Sequence, residues 1–101
     1  MHGEIDAVEL LNRINKGEKL NLLDVREALE FHSFNIGGSN VPLKGLSEQA
    51  ESTWHDKGDE IIVICSAGLR SVTAAILLAE KGYTRVRNLT GGQLALRKLQ
   101  H

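Results

Sequence analysis

Ile61-Ile62-Val63-Ile64-Cys65-Ser66-Ala67-Gly68-Leu69-Arg70-Ser71 is the stretch whose reading decides the fold. Its first four residues are an unbroken β-branched run, the pattern of a strand covered on both faces. Residues 65–71 read as a loop. Arg70 or Ser71 then opens a helix through Val72-Thr73-Ala74-Ala75-Ile76-Leu77-Leu78-Ala79, and Gly82 stops it. A buried strand that feeds a helix through a short loop is the repeating unit of a parallel sheet with helices packed on it.

The same alternation extends in both directions. Upstream, Asp6 is placed to cap a first helix, with Glu9 three residues on to complete a capping box. Leu10, Leu11 and Ile14 form its apolar stripe, and Gly17 closes it. Leu20-Asn21-Leu22-Leu23-Asp24-Val25 reads as a short buried strand. Residues 27–34 predict a short helix with Ala28, Leu29 and Phe31 facing inward. Ile36-Gly37-Gly38-Ser39 reads as a turn and Asn40-Val41-Pro42-Leu43 as a brief strand. Ser47 is the expected cap of a helix running to about residue 54. Downstream, residues 83–89 contain a strand around Val86. Thr90-Gly91-Gly92 then turns into a last helix that offers Leu94, Leu96 and Leu99 for packing. The expectation is an α/β fold: one domain over residues 1–101, an open, mainly parallel sheet of about five short strands, and helices on both faces.

Composition narrows the function classes. The 101 residues suit one domain with a modest core, and 42% hydrophobic content is that of a globular chain. Cys65 is the only cysteine, which excludes an intrachain disulfide, a Cys-only zinc site and an internal CxxC pair. Twelve Lys+Arg against thirteen Asp+Glu leave a net charge of −1 with both signs scattered, so no nucleic-acid partner is expected. No apolar stretch approaches the roughly 20 residues that cross a bilayer. Met1-His2-Gly3-Glu4 lacks the basic and apolar regions of a signal peptide, so the expected setting is cytoplasmic, without a membrane partner.

The chemistry points to Cys65. Ligands of open α/β sheets bind outside the carboxyl ends of the strands, which is where Cys65 falls. The helix that follows aims free N–H groups and its dipole back into the loop, favouring an anion there and therefore a thiolate nucleophile. The small residues Ser66 and Ala67 let loop amides converge, and Gly68 permits a turn that a Cβ would oppose. Arg70 adds a positive charge, either as a clamp for an anionic ligand or in a structural ion pair with Asp24 or Glu27. Ser71 reads as a helix cap. A cysteine that served only as a small core hydrophobe would have no need of this surrounding.

These residues resemble the rhodanese-like sulfurtransferase domains of the small single-domain class. Cys65-Ser66-Ala67-Gly68-Leu69-Arg70-Ser71 is similar to that family's CxxGxRS loop. Leu22-Leu23-Asp24-Val25-Arg26-Glu27 upstream and Asn88-Leu89-Thr90-Gly91-Gly92 downstream match in the same order. The resemblance implies that Cys65 is catalytic and accepts a sulfane sulfur as a persulfide. The donor would be a small sulfur compound such as thiosulfate, and the acceptor a thiol, cyanide or a protein. Ser66, Ala67, Gly68, Leu69, Arg70 and Ser71 would form the substrate cradle, with Asp24 and Arg26 bracing it. No metal and no organic cofactor is implied. A carrier that delivers persulfide sulfur to a protein partner, with little thiosulfate turnover, is the alternative.

Cysteine phosphatases have a similar cradle with one residue more between cysteine and arginine than the four here, which disfavours a phosphate monoester. Two positions depart from the family pattern. Asn35 stands where GHIPGA has its histidine, and Leu96 where a tryptophan usually follows the paired glycines. Both departures bear on turns and packing. His32 and His55 lie in no catalytic motif, and Trp54, Phe31 and Phe34 read as packing residues. Gly91-Gly92 is too short a pattern for a phosphate loop.

Overall fold

The structure is a computed structural model that describes residues 3–54 and 56–99. Along the chain run β1 (Gly3–Ile5), α1 (Ala7–Asn15), β2 (Leu22–Asp24), α2 (Ala28–Ser33), β3 (Ser39–Asn40), α3 (Leu43–Thr53), β4 (Glu60–Ile64), α4 (Leu69–Glu80), β5 (Arg85–Leu89) and α5 (Gly92–Leu99). The strands form one sheet in the order β1-β5-β4-β2-β3, and every pairing is parallel. The α/β sheet expected from the alternation is present. No helix is long and apolar enough to cross a membrane among the described residues.

β4 is the central strand, with Leu23 opposite Val63 on one side and Val86 opposite Ile61 on the other. Successive side chains of a strand point to opposite faces. Ile61, Val63 and Cys65 therefore join a core with Leu46 and Ala50 of α3 and Ala74, Ala75 and Leu78 of α4. Ile62 and Ile64 join a second core with Leu10 of α1 and Leu96 of α5. All four β-branched residues are fully buried, and each contributes about 1.5–3 kcal/mol by leaving water. Two covered faces are the reason the run has no polar interruption.

Several local expectations are corrected. β1 has no apolar run to announce it. It forms because the edge of β5 offers a ladder, in which Thr90 N–H donates to Ile5 O at 3.0 Å. Asp6 caps α1 by accepting from Glu9 N–H at 2.7 Å. The Glu9 carboxylate, however, reaches Arg87 at 2.7 Å, so no reciprocal capping box closes. α3 starts at Leu43 rather than Ser47, because Pro42 takes the N-cap position and sets the entry of the helix at φ −52°. β3 accordingly ends at Asn40, before Val41 and Pro42. α4 begins at Leu69, ahead of Arg70.

α2 buries none of its residues, and Leu29 is 83% exposed. Its six residues do not lie against a sheet face, so Ala28 and Leu29 have no core to enter. In α5 only Leu96 of the three leucines is buried; Leu94 and Leu99 are exposed.

Candidate active site

Cys65 follows the last residue of β4 and is 1% exposed. Its Sγ accepts hydrogen bonds from Gly68 N–H at 3.0 Å and Ser71 N–H at 3.3 Å. Gly68 is the N-cap of α4 and Ser71 lies in its first turn, so the sulfur occupies the place that a capping oxygen takes in other helices. Leu69 N–H and Arg70 N–H, between them, have no acceptor among the described residues. These are the orphan donors of a helix start, and with the dipole of α4 they favour negative charge at this point. The turn depends on Gly68, which sits at φ +101°. A Cβ there would be strained by the backbone and would approach Gly91 N to 3.2 Å.

Ser71 is not the cap expected of it. It is fully buried, and its Oγ accepts from the Cys65 thiol at 3.4 Å. The same hydroxyl has Gly68 O at 3.2 Å and Asn88 Oδ1 within reach, and its single proton is donated to one or the other. Asn88 enters the sequence reading only as the start of the Asn88-Leu89-Thr90-Gly91-Gly92 segment and not as a residue of the site, although it is a polar residue beside Leu89 at a buried strand end.

Arg70 makes an ion pair, but with neither Asp24 nor Glu27. Its Nη1 donates to Glu30 Oε1 at 2.7 Å and its Nη2 to Glu30 Oε2 at 3.0 Å. Nη2 also donates to Ser66 Oγ at 3.1 Å, and Ser66 Oγ donates to Glu30 Oε2 at 3.3 Å. Ser66 thus belongs to this polar cluster at the mouth. The two charged side chains are 36% and 37% exposed. No local signal in the sequence marks Glu30, because its partner lies 40 residues away.

The Arg70 guanidinium, helped by Glu27 N–H, holds the Glu30 carboxyl down at about 2, below its usual 4.5. A carboxyl lowered on folding stabilises the protein above its unfolded value, and that stabilisation is lost as pH falls from about 4.5 to about 2. Solvent screening of a pair this exposed keeps the effect within about 1 kcal/mol. Glu30→Gln should therefore differ from the wild type in urea midpoint near neutral pH and converge on it toward about pH 2. A difference that is unchanged across this range would contradict the pairing.

Asp24 and Arg26 form a buried pair, with Arg26 Nε donating to Asp24 Oδ1 at 3.0 Å and Nη2 to Oδ2 at 2.9 Å. Their bracing of the loop is indirect. Gln93 Nε2 donates to Asp24 Oδ2 at 3.2 Å, while the backbone N–H of Gln93 donates to Cys65 O at 2.9 Å. Leu94 N–H likewise reaches Ser66 O at 3.0 Å. The loop is therefore held between two helix starts: α4 donates to the sulfur and α5 to the carbonyls behind it. Gly92 makes this closeness possible, since a Cβ there would lie 2.5 Å from both Cys65 O and Ser66 O. Gln93 and Gly92 were not read from sequence as parts of the site.

Ala67 and Leu69 are exposed at the mouth, Leu69 by 81%. Trp54 packs in the core and accepts from Tyr83 Oη through its carbonyl at 2.7 Å. Phe34 lies at the surface under Arg97, 4.8 Å from its ring centre. Asn35 forms the expected turn, accepting from Gly37 N–H at 2.9 Å. His32 is exposed, and the reading of His55 lies outside the described residues.

Comparison with known proteins gives a consistent picture. The family model described as Rhodanese-like domain matches residues 6–98. The thiosulfate sulfurtransferase PspE of Escherichia coli is 37% identical over 68% of this chain and 67% of its own. YrkF of Bacillus subtilis, whose name describes a sulfur carrier protein, is 33% identical over 88% of this chain. This chain spans about half, 48%, of the length of YrkF. The solution structure of the rhodanese-like domain of Alr3790 from Anabaena superposes with a TM-score of 0.88 at 28% identity, covering 98% of this chain and 76% of that one.

Proposed function

The chain belongs to the rhodanese-like domain family, and on that premise we propose that it is a sulfurtransferase in which Cys65 carries sulfur as a persulfide between a donor and an acceptor. The observation that carries this reading is the sulfur of Cys65 at the start of α4, accepting from Gly68 N–H and Ser71 N–H. Two further amides of that turn, those of Leu69 and Arg70, are free to receive an outer sulfur.

With thiosulfate as donor, the Cys65 thiolate attacks the outer, sulfane sulfur. The new S–S bond forms as the sulfur–sulfur bond of thiosulfate breaks, and sulfite leaves with the electron pair. Thiolate attack at sulfur follows the rules of thiol–disulfide exchange. The product, Cys65–S–S⁻, keeps its negative charge on the outer atom, within reach of the orphan amides. A second nucleophile, cyanide or a thiolate, then takes that outer sulfur and returns the Cys65 thiolate. The chain has no second thiol to resolve the persulfide, so discharge requires an external acceptor.

A mass spectrum of the intact protein after incubation with thiosulfate or a persulfide donor tests this. A gain of about 32 Da, one sulfur, should appear on Cys65 and vanish on adding cyanide or a thiol. No gain with any donor would overturn the reading.

A carrier role toward a protein acceptor is the second reading. It is favoured by Leu29 and Leu69, each next in sequence to a member of the Glu30–Arg70 pair and each more than four-fifths exposed, at 83% and 81%. Rapid sulfur transfer to a protein thiol combined with slow thiosulfate–cyanide turnover would select it.

A further inference from the structure

An arginine beside an anion-favouring loop is the natural clamp for an anionic donor. Here that guanidinium is already spent on a carboxylate. Glu30 accepts from both terminal nitrogens of Arg70 at 2.7 and 3.0 Å, and Ser66 Oγ accepts from the same Nη2 at 3.1 Å. Two of these groups adjoin the reacting sulfur along the chain: Ser66 follows Cys65, and Arg70 precedes Ser71, whose N–H holds Sγ, while Glu30 joins the site through both of them. The Cys65 charge itself helps, as a lesser contribution after the Glu30 hydrogen bond, to raise the Arg70 pKa, so the two are in electrostatic reach.

We propose that Glu30 sets the charge selectivity of the Cys65 site, closing on Arg70 so that the mouth disfavours doubly charged anionic donors relative to the persulfides of uncharged thiols, which carry at most one charge. This rests on Cys65 being the sulfur-accepting residue. Charge counting gives the reason. With Glu30 in place, Arg70 is neutralised, and the Cys65 thiolate, with Glu27 also in electrostatic reach of Arg70, leaves the mouth net negative. An anion approaching the sulfur meets that charge, and a doubly charged one is opposed twice as strongly. Replacing Glu30 by glutamine keeps a hydrogen-bonding side chain of the same shape and restores the positive charge of Arg70. The exposed apolar side chain of Leu69 next to it offers an anion no compensating charge.

Cys65 is the only cysteine, so alkylation reports on this site alone. Wild type and Glu30→Gln are each treated with iodoacetamide, which is neutral, and iodoacetate, an anion of similar size. In both reactions the thiolate displaces iodide. A change in thiolate population or in loop opening alters both rates together and cancels in their ratio. The amide-to-acetate rate ratio should fall about threefold to tenfold in Glu30→Gln, the size expected for removing one charge at the mouth of the site. The difference should shrink as salt is raised. An unchanged ratio, or a change insensitive to salt, would overturn the proposal.

The companion measurement is the rate of sulfur loading from thiosulfate, a dianion, and from an alkyl persulfide, which carries at most one charge, read by intact mass. A gain in Glu30→Gln that is larger for thiosulfate supports the selectivity role, and an equal effect on both donors overturns it. Absence of loading from either donor in either protein defeats the sulfurtransferase reading, and with it the assignment of donor class to Glu30, while the alkylation ratio still reports the charge effect separately.

Discussion

Cys65→Ser should load no sulfur and sustain no transfer, a loss of at least about a thousandfold, while folding as the wild type does. The two halves of the expectation have different causes. Transfer requires a nucleophile that attacks sulfur and then holds it reversibly, and a serine hydroxyl at neutral pH does neither. No other thiol exists on the chain to substitute. The fold survives because an oxygen at this position still accepts from Gly68 N–H and Ser71 N–H, leaving no buried donor unpaired. The exchange of one small buried group for another of similar size should change stability by about 1 kcal/mol. Intact mass after donor treatment and a thermal melt check the two halves. Sulfur retained on the serine variant would place the acceptor elsewhere.

The largest effect on stability is expected from Gly92→Ala. Gly92 has φ +59°, a conformation that costs an alanine about 1–2 kcal/mol. The new methyl would also lie 2.5 Å from Cys65 O and Ser66 O and 2.6 Å from Ser66 C, so it meets backbone that cannot rotate away. Overpacking of this kind costs about 1–3 kcal/mol more. A total of about 2–5 kcal/mol is a large share of the 5–15 kcal/mol typical of a small domain. The carbonyls that must move belong to the loop that shapes the sulfur site, so the surviving folded protein should also load sulfur at least about tenfold more slowly. Urea denaturation and the initial rate of mass gain measure the two effects. Wild-type behaviour in both would contradict the close approach of α5 to the loop.

The two variants mark where sequence reading succeeded and where it stopped. Ile61-Ile62-Val63-Ile64 was readable because a strand with both faces covered must be apolar at every position, and no other element of this length has that pattern. The loop after it was readable because its parts are contiguous: cysteine, small residues, glycine, arginine and helix start lie within seven positions. Leu20-Asn21-Leu22-Leu23-Asp24-Val25 and the strand around Val86 are interrupted by polar residues and were readable from their apolar residues between helix stops and turns; of the first segment only Leu22–Asp24 pairs as a strand. β1 escaped because three residues with one buried side chain carry no periodicity, and their pairing is supplied by an edge 84 residues away, with Gly3 opposite Arg87. The inward face assigned to Ala28 and Leu29 failed because periodicity reports which residues share a side, not whether a core lies against it.

Local chemistry, then, was a property of the sequence by itself: the α/β alternation, the strand end that presents Cys65, and a helix start that favours an anion there. Long-range pairing was decided only in the tertiary structure. Arg70 had two acidic candidates along the chain, Asp24 and Glu27, and the position of α2 gave it instead to Glu30 while Arg26 kept Asp24. Gly92, Gln93 and Asn88 became parts of the site because α5 and β5 fold back against the loop. The physical reason is one of range. Propensity, capping and hydrophobic period act over a few residues, whereas an ion pair or a backbone close approach depends on distances that exist only once the sheet has brought its strand ends together.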